Sequence, residues 1–215
     1  MIYVTSDIHG EYDRYLRLLE AIDFSSRDHL YVIGDIIDRG EHGVDVAFDM
    51  LARENVTLLK GNHEVMALAT LGLNPQFGAK DLWFGNGGRP TFYDLRFHRS
   101  RTERNEILDY FEDAPVELEL EVGGRCFHLV HGFPGETEQD KIWGRPNADS
   151  TSPWPDKTVI VGHTPTPFID PEYEIPHARI WYGNGIIDID CGCGHKPSTR
   201  RLACLRLDDM VEFYV

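Results

Sequence analysis

Along residues 2 to 59, short β-prone runs alternate with amphipathic stripes. Ile2-Tyr3-Val4 forms the first run, and Tyr12, Tyr15, Leu16, Leu19 and Ile22 then recur at helical spacing, which predicts a helix over 12–22. A second strand is predicted over 29–33, closed by Gly34. Val44, Ala47, Phe48 and Leu51 mark a second helix, and Val56 to Leu59 reads as a third strand ended by Gly61. Strand–helix–strand–helix–strand at this rhythm implies parallel strands with right-handed crossovers. Residues 65 to 113 read as a mainly helical and loop-like insertion covering one end of the sheet, interrupted at Trp83 to Gly88. After Pro115 the pattern becomes β-like: Val116 to Val122, a Gly123-Gly124 turn and Cys126 to Val130 predict a hairpin. Residues 132 to 157, rich in Pro, Gly and charge, read as a long loop. Val159–Val161, Ile186–Ile189, Leu202–Leu207 and Val211–Tyr214 then complete a second set of strands. No repeat, low-complexity tract or linker divides the chain, so residues 1–215 read as one domain.

Composition bounds this picture. The chain has 215 residues, 41% of them hydrophobic and 11% aromatic, enough for a core that needs no disulfide or metal staple. No apolar run approaches the roughly 20 residues of a membrane span. MIYVTSDIHG passes directly into polar residues without the basic and apolar regions of a signal peptide. Cys126, Cys191, Cys193 and Cys204 form no CxxC pair and read as reduced thiols, so the expected location is cytoplasmic. The formal charge of -15, from 21 Lys+Arg against 36 Asp+Glu, argues against nucleic acid or an anionic membrane as partner. The same acid excess comes with ten histidines, the combination a metal site requires.

The placement of those residues is informative. Asp7-Ile8-His9-Gly10 follows the first strand, Gly34-Asp35-Ile36-Ile37-Asp38-Arg39-Gly40 the second, and Gly61-Asn62-His63-Glu64 the third. His131-Gly132 and Gly162-His163-Thr164-Pro165 follow two later strands. Taken singly, an Asp before glycine is a turn residue, and Gly-Asn-His-Glu is an N-cap with an acidic first turn. Taken together, five strand ends deliver Asp, His, Asn or Arg to the edge where open α/β sheets bind ligands. Carboxylates mixed with imidazoles suit Mn, Fe or Zn better than calcium. A bridging carboxylate can hold two ions about 3.5–4 Å apart, a pair that activates water and clamps a phosphoryl group. Arg39 offers a fork matched to phosphate oxygens.

The motifs DIHG (7–10), GDIIDRG (34–40), GNHE (61–64), HG (131–132) and GHTP (162–165) resemble those of the calcineurin-like metallophosphoesterases. More narrowly, they are similar to those of serine/threonine phosphoprotein phosphatases of the small bacterial and phage-lambda-like branch. Bacterial diadenosine tetraphosphate hydrolases carry similar motifs. The resemblance runs from Tyr3 to about Leu207, and it extends to the Trp83–Gly88 segment and to Ile142-Trp143-Gly144-Arg145. It implies an α/β fold with a two-sheet β-sandwich core flanked by helices in an α/β/β/α layering. It also implies two divalent ions, manganese first, with Fe, Zn, Ni or Mg as alternatives.

Carried over by residue, Asp7, His9 and Asp35 would hold the first ion. Asp35 would bridge to the second, held also by Asn62, His131 and His163. A hydroxide between the ions would attack phosphorus in line. His63, oriented by Asp38, would protonate the leaving alkoxide, and Arg39, Arg145 and Asn62 would bind phosphate oxygens. The implied substrate is phosphorylated Ser or Thr in protein; the alternative is a dinucleoside polyphosphate or other small nucleotide, with Arg89, Arg96, Arg99, Arg101 and Arg104 as candidate contacts. A non-catalytic binding module is disfavoured by the completeness of the ligand set.

Two departures from the family stand out: Lys60 replaces the usual Arg before Gly-Asn-His-Glu, which removes a bidentate fork, and Gly132-Phe133-Pro134 follows His131. Cys191-Gly192-Cys193-Gly194-His195 invites a zinc reading, but a turn of small residues near the site rim is the better one. His29, His42, His98, His128 and His177 lie in no motif and read as surface residues.

Overall fold

A computed structural model describes residues 1–196 and 198–215. The chain begins with β1 (Ile2–Thr5), α1 (Tyr12–Ala21), β2 (His29–Ile33), α2 (Gly43–Leu51) and β3 (Val56–Leu59), and the three strands pair in parallel. A helical segment follows: α3 (Asn62–Leu71), α4 (Ala79–Gly85), α5 (Arg89–Tyr93), a π-helical turn at Asp94–His98, and α6 (Arg101–Asp113). Then come β4 (Glu117–Val122), β5 (Arg125–Val130), α7 (Glu138–Trp143), β6 (Lys157–Val161) and α8 (Thr166–Ile169). The chain ends with β7 (Trp181–Tyr182), β8 (Ile186–Asp188), β9 (Ala203–Arg206) and β10 (Val211–Tyr214). These strands form two sheets, β10-β9-β1-β2-β3 and β4-β5-β6-β8-β7.

The period-2 alternation of the strands builds the layers. Tyr3, Leu30, Val32 and Leu58 face outward against Tyr15, Leu18, Val44, Ala47 and Met50 of the first two helices. Their neighbours Val4, Ile33 and Leu59 face inward and meet Phe127, Leu129, Ile160 and Ile187 of the second sheet. The outer face of the second sheet carries Val130, Val159, Val161 and Ile186 under Phe133, Trp154, Ile169 and Tyr173. The sandwich is therefore as expected, with a fourth layer reduced to α8, a 3-10 turn at Pro171–Glu174 and adjoining loops. The β4–β5 hairpin turns through Gly123 and Gly124 at φ 59° and 77°, a region open to glycine at little cost.

Several expectations are corrected. The strands near 202–207 and 211–214 join the first sheet, not the second: β9 pairs antiparallel with β1, and β10 with β9. Tyr3, Val4 and Thr5 are buried, so without β9 the free edge of β1 would leave backbone donors and acceptors unsatisfied in the core. The stretch 132–157 is not all loop. Thr137 accepts from the Asp140 amide at 3.1 Å while Asp140 accepts from the Thr137 amide at 3.1 Å, a reciprocal cap that starts α7. Trp83 to Gly85 does not interrupt a helix but completes α4, and Trp83 is fully buried among α-helical side chains. β7 was not foreseen; its two residues pair antiparallel with β8. His128 is buried rather than on the surface, with Nε2 3.2 Å from Glu117, Nδ1 3.5 Å from Glu119, and its ring on Trp154. No helix among the described residues is long and apolar enough to cross a membrane.

Leu205 on β9 is fully buried between the sheets. Leu205→Ala is expected to lower the free energy of unfolding by about 3 kcal/mol, read as a lower urea midpoint with an unchanged slope.

Candidate active site

The C-terminal ends of β1, β2, β3, β5 and β6 converge, and the turns that follow them are stitched together by main-chain bonds. The Asp7, His9 and Gly10 amides donate to the carbonyls of Gly34, Asp35 and Ile36 at 3.1, 2.9 and 2.9 Å. The Gly162 amide donates to the His131 carbonyl at 3.0 Å, and the His163 amide to Asp7 Oδ2 at 3.0 Å, which joins the two sheets. Asp7, His9, Asp35, Asp38, Arg39 and His163 all have left-handed backbone, with φ of 52°, 50°, 56°, 74°, 66° and 66°. Such conformations cost side-chain-bearing residues on the order of 1 kcal/mol each or more, and they persist where surrounding contacts over-determine them.

Asp35 is the hub. Its Oδ1 accepts from the His63 amide in the first turn of α3 at 3.0 Å and lies 3.3 Å from His131 Nε2. Its Oδ2 lies 3.9 Å from His9 Nε2 and 3.8 Å from His63 Nε2. Two groups of donors have the closeness a metal ion needs: His9, Asp35 and His63, and Asp35, His131 and His163, with ligand atoms within 4.8 Å of one another in each. Asp7 Oδ1 lies 3.7 Å from His9 Nε2, and Asn62 Oδ1 lies 3.1 Å from His131 Nε2. All six expected ligands are thus brought together, and His63 joins them as an additional nearby donor.

The ring nitrogens are arranged to leave lone pairs toward this cluster. His9 Nδ1 and His131 Nδ1 sit 3.1 and 2.7 Å from the Ile37 and Ile33 carbonyls, which fixes Nδ1 as the donor and turns Nε2 inward. His163 Nε2 is buried and has no hydrogen-bond partner among the described residues. An orphaned imidazole nitrogen beside a shared carboxylate fits a divalent cation, and the donor set as a whole fits a dinuclear centre.

Electrostatics point the same way. Burial disfavours charge on His131, but Asp35 and Asp7 outweigh it and hold its pKa up at about 10. Asp35 is held well below the ordinary carboxylate range by His131 and His63 against the cost of burial. His163 is pushed down to about 3 by burial and by His131, and His9 well down by burial and Arg39. Without metal, a proton on His131 supplies the positive charge that Asp35 demands.

Next to the cluster, His63 Nδ1 lies 2.5 Å from Asp38 Oδ2, which also accepts from Trp83 Nε1 at 2.6 Å. Burial opposes the imidazolium, yet Asp35 and Asp38 raise the His63 pKa above its usual value. The Arg39 guanidinium reaches 3.5 Å from His63 Nε2 through Nη2. Arg145 Nη1 donates to the His163 carbonyl at 3.2 Å and to Thr164 Oγ1 at 3.1 Å, so it borders the site.

Four supporting residues escape sequence reasoning as participants. Glu64 accepts from the amides of Asp35, Ile36 and Gly61 at 2.9, 3.0 and 2.9 Å, pinning the Asp35 turn to α3; the N-cap-to-N3 spacing of Gly61 and Glu64 was the available signal. Its buried carboxyl is raised to about 7 by burial and by Asp35. Ser6 Oγ sits within hydrogen-bond reach of the Asp7 carboxylate and the Ile33 carbonyl, with one proton to give to either. Thr91 Oγ1 accepts from the Asp38 amide at 3.0 Å, and Trp83 orients the Asp38 carboxylate; Thr91 has no local signature, and the resemblance of the Trp83–Gly88 segment gives Trp83 no partner.

Other candidates are engaged in contacts outside the cluster. Lys60 Nζ donates to the Glu112 carbonyl near the end of α6 at 3.0 Å, away from the cluster. Arg99 is committed to Asp45 and Asp94, while Arg89 and Arg96 lie over Phe84 and Phe97. Cys191 and Cys193 are buried and belong to neither metal-capable group among the described residues.

Against known proteins, residues 1–200 match the calcineurin-like phosphoesterase family. Serine/threonine-protein phosphatase 2 of Escherichia coli is 32% identical over 156 residues, 72% of this chain and 67% of that protein. The symmetrical bis(5'-nucleosyl)-tetraphosphatase of Acidovorax ebreus is 32% identical over 132 residues, 60% of this chain but only 43% of that protein. A solved protein serine/threonine phosphatase from Saccharomyces cerevisiae shares the fold, with a TM-score of 0.60 at 14% identity over 95% of this chain and 71% of that one. With the match extending over nearly its whole length and the strand-end cluster in place, the chain belongs to the calcineurin-like phosphoesterases.

Proposed function

We propose that this protein hydrolyses phosphomonoesters, with phosphorylated Ser or Thr in proteins as the leading substrate class. The observation that carries the reading is the pairing of a dinuclear donor set with a carboxylate-held imidazole and an arginine beside it. Asp7, His9, Asp35, Asn62, His131 and His163 would hold two divalent ions, manganese first, which when bound lower the pKa of water and neutralise phosphate charge.

The chain's own groups supply the rest. His63 keeps Nδ1 on Asp38, so Nε2 is the nitrogen free to give a proton to the leaving oxygen. Trp83 and Thr91 hold Asp38 from two sides, fixing its carboxylate and its amide. Arg39 and Arg145 would grip phosphoryl oxygens and stabilise the charge that grows on them, and Asn62 would serve as both metal ligand and phosphate contact. The resting ester is held less tightly than the charge-rich transition state, which is where such cations act most strongly.

A second reading keeps the chemistry and changes the substrate to a dinucleoside polyphosphate. It draws on the similarity to the tetraphosphatase of Acidovorax ebreus. It also draws on the exposed rings of Tyr93 and Phe97, stacked on one another, as aromatic surface on which a nucleobase can stack. Kinetics with added Mn²⁺ on phosphoserine, phosphothreonine and phosphotyrosine peptides and on diadenosine tetraphosphate separate the two. Highest kcat/KM on the phosphoserine or phosphothreonine peptides is expected; a higher value on the dinucleotide would select the second reading.

Two substitutions test the roles. His63→Asn should lower kcat on a phosphomonoester by about 10²- to 10⁴-fold with metal content unchanged, and undiminished turnover would refute the acid assignment. Asp35→Asn should instead lose most bound manganese by elemental analysis, and full occupancy would refute the bridging role.

A further inference from the structure

The turn at Cys191–His195 takes no part in the chemistry assigned so far, yet it delivers a side chain to the site. Arg39 Nη1 donates to His195 Nε2 at 2.6 Å. Among the described residues, Arg39 forms no ion pair with any carboxylate; its guanidinium is met by two imidazoles, His195 and, at 3.5 Å, His63. We propose that His195 is a positioning residue that aims the Arg39 guanidinium at the substrate's phosphoryl oxygens. The proposal rests on the phosphoesterase reading above and names the residue that sets phosphate affinity within it.

The turn is built to hold that contact. Cys193 is buried with Sγ 3.5 Å from the Ile8 carbonyl, which anchors the turn beneath the first metal-ligand loop. Gly194 has φ 77°, and a Cβ there would collide with His9, so only glycine lets the turn lie this close. The His195 amide donates to the Gly192 carbonyl at 3.0 Å, and Phe168 meets the imidazole edge-on at 6.4 Å. A guanidinium has N–H donors and no acceptor, so the contact calls for a lone pair on His195 Nε2 and places the proton of the neutral ring on Nδ1.

The choice of acceptor has an electrostatic consequence. A carboxylate in this place would fix the guanidinium equally well but cancel its charge before substrate arrives. A neutral imidazole orients Arg39, removes side-chain freedom that phosphate binding would otherwise have to quench, and leaves the positive charge available. Arg donates five N–H groups in a rigid fork, so committing Nη1 to His195 still leaves others for phosphate.

The test is a double-mutant cycle on inorganic phosphate binding to the manganese-loaded protein, measured by calorimetry alongside metal content and thermal midpoint. His195→Ala should weaken phosphate binding about tenfold, the scale of one charge-assisted hydrogen bond. In an Arg39→Lys background, which lacks the fork, the same change should cost less than about twofold. His195→Gln, whose amide oxygen can accept from Arg39, should stay within about threefold of the native protein. Should His195→Ala fail to fold, His195→Leu takes its place in the cycle. Equal losses in both backgrounds, or unaltered phosphate affinity in His195→Ala, would overturn the proposal. Turnover of p-nitrophenyl phosphate by the native protein checks the underlying reading separately. Phosphate binding with the expected coupling but without turnover would sink only that reading, whereas no phosphate binding by the native protein would sink both.

Discussion

A carboxylate that is fully buried must be compensated, and Asp35 is the carboxylate on which this structure turns. Taking one such charge out of water costs several kcal/mol even after relaxation. Here the compensation comes from both sheets: an amide at the start of α3, an imidazole after β5, and the turn after β1 laid against its backbone. Glu64 ties Asp35 and Ile36 to the same helix. At this edge the two sheets meet through these polar contacts, while the interior apolar layer holds them together along the rest of their faces. Stability and chemistry meet in one residue.

That arrangement explains where the backbone is strained. Left-handed residues gather in the turns after β1, β2 and β6, each carrying an Asp, Arg or His that must point into a small common volume. A strand ending in ordinary extended geometry would send successive side chains to opposite faces. The left-handed residues break that alternation and let Asp7 and His9, or Asp35 and Asp38, address one site. Strain of this kind is tolerated because the turns bond to one another, so no single turn can relax alone.

The same logic separates what could be read in the residues from what could not. The motifs were legible because each is local: a strand run, a glycine and a ligand pair within a few positions. Their convergence on one edge followed from the parallel rhythm of the first half. The placement of β9 and β10 was not legible, since pairing with β1 is a contact across most of the chain, fixed by the need to cover a buried edge. His128 was misread for a related reason. Its alternation on β5 directs it outward, where Trp154, contributed from a distant loop, covers its ring. Trp83 resembled a family element without disclosing its partner, because the bond to Asp38 exists only after α4 folds back on α3. Local chemistry was visible; non-local support was not.

The overall charge of -15 meets an anionic substrate class without contradiction, because the two act over different ranges. Exposed carboxylates such as those along α6 are screened beyond about 8 Å at physiological ionic strength, and some are paired locally with Arg53, Arg99, Lys141, Lys157 and Arg206. Within the site the sign is set by groups a few ångströms away in a water-poor setting, where each charge counts for more. There the carboxylates Asp7, Asp35 and Asp38 are turned toward imidazoles or toward a metal-sized space, whereas among the described residues the Arg39 guanidinium meets the imidazoles of His195 and His63 and pairs with no carboxylate. Acid gathered around a metal-sized space, with Arg39 and Arg145 unpaired by carboxylates among the described residues, makes the local balance of charge independent of the surface total.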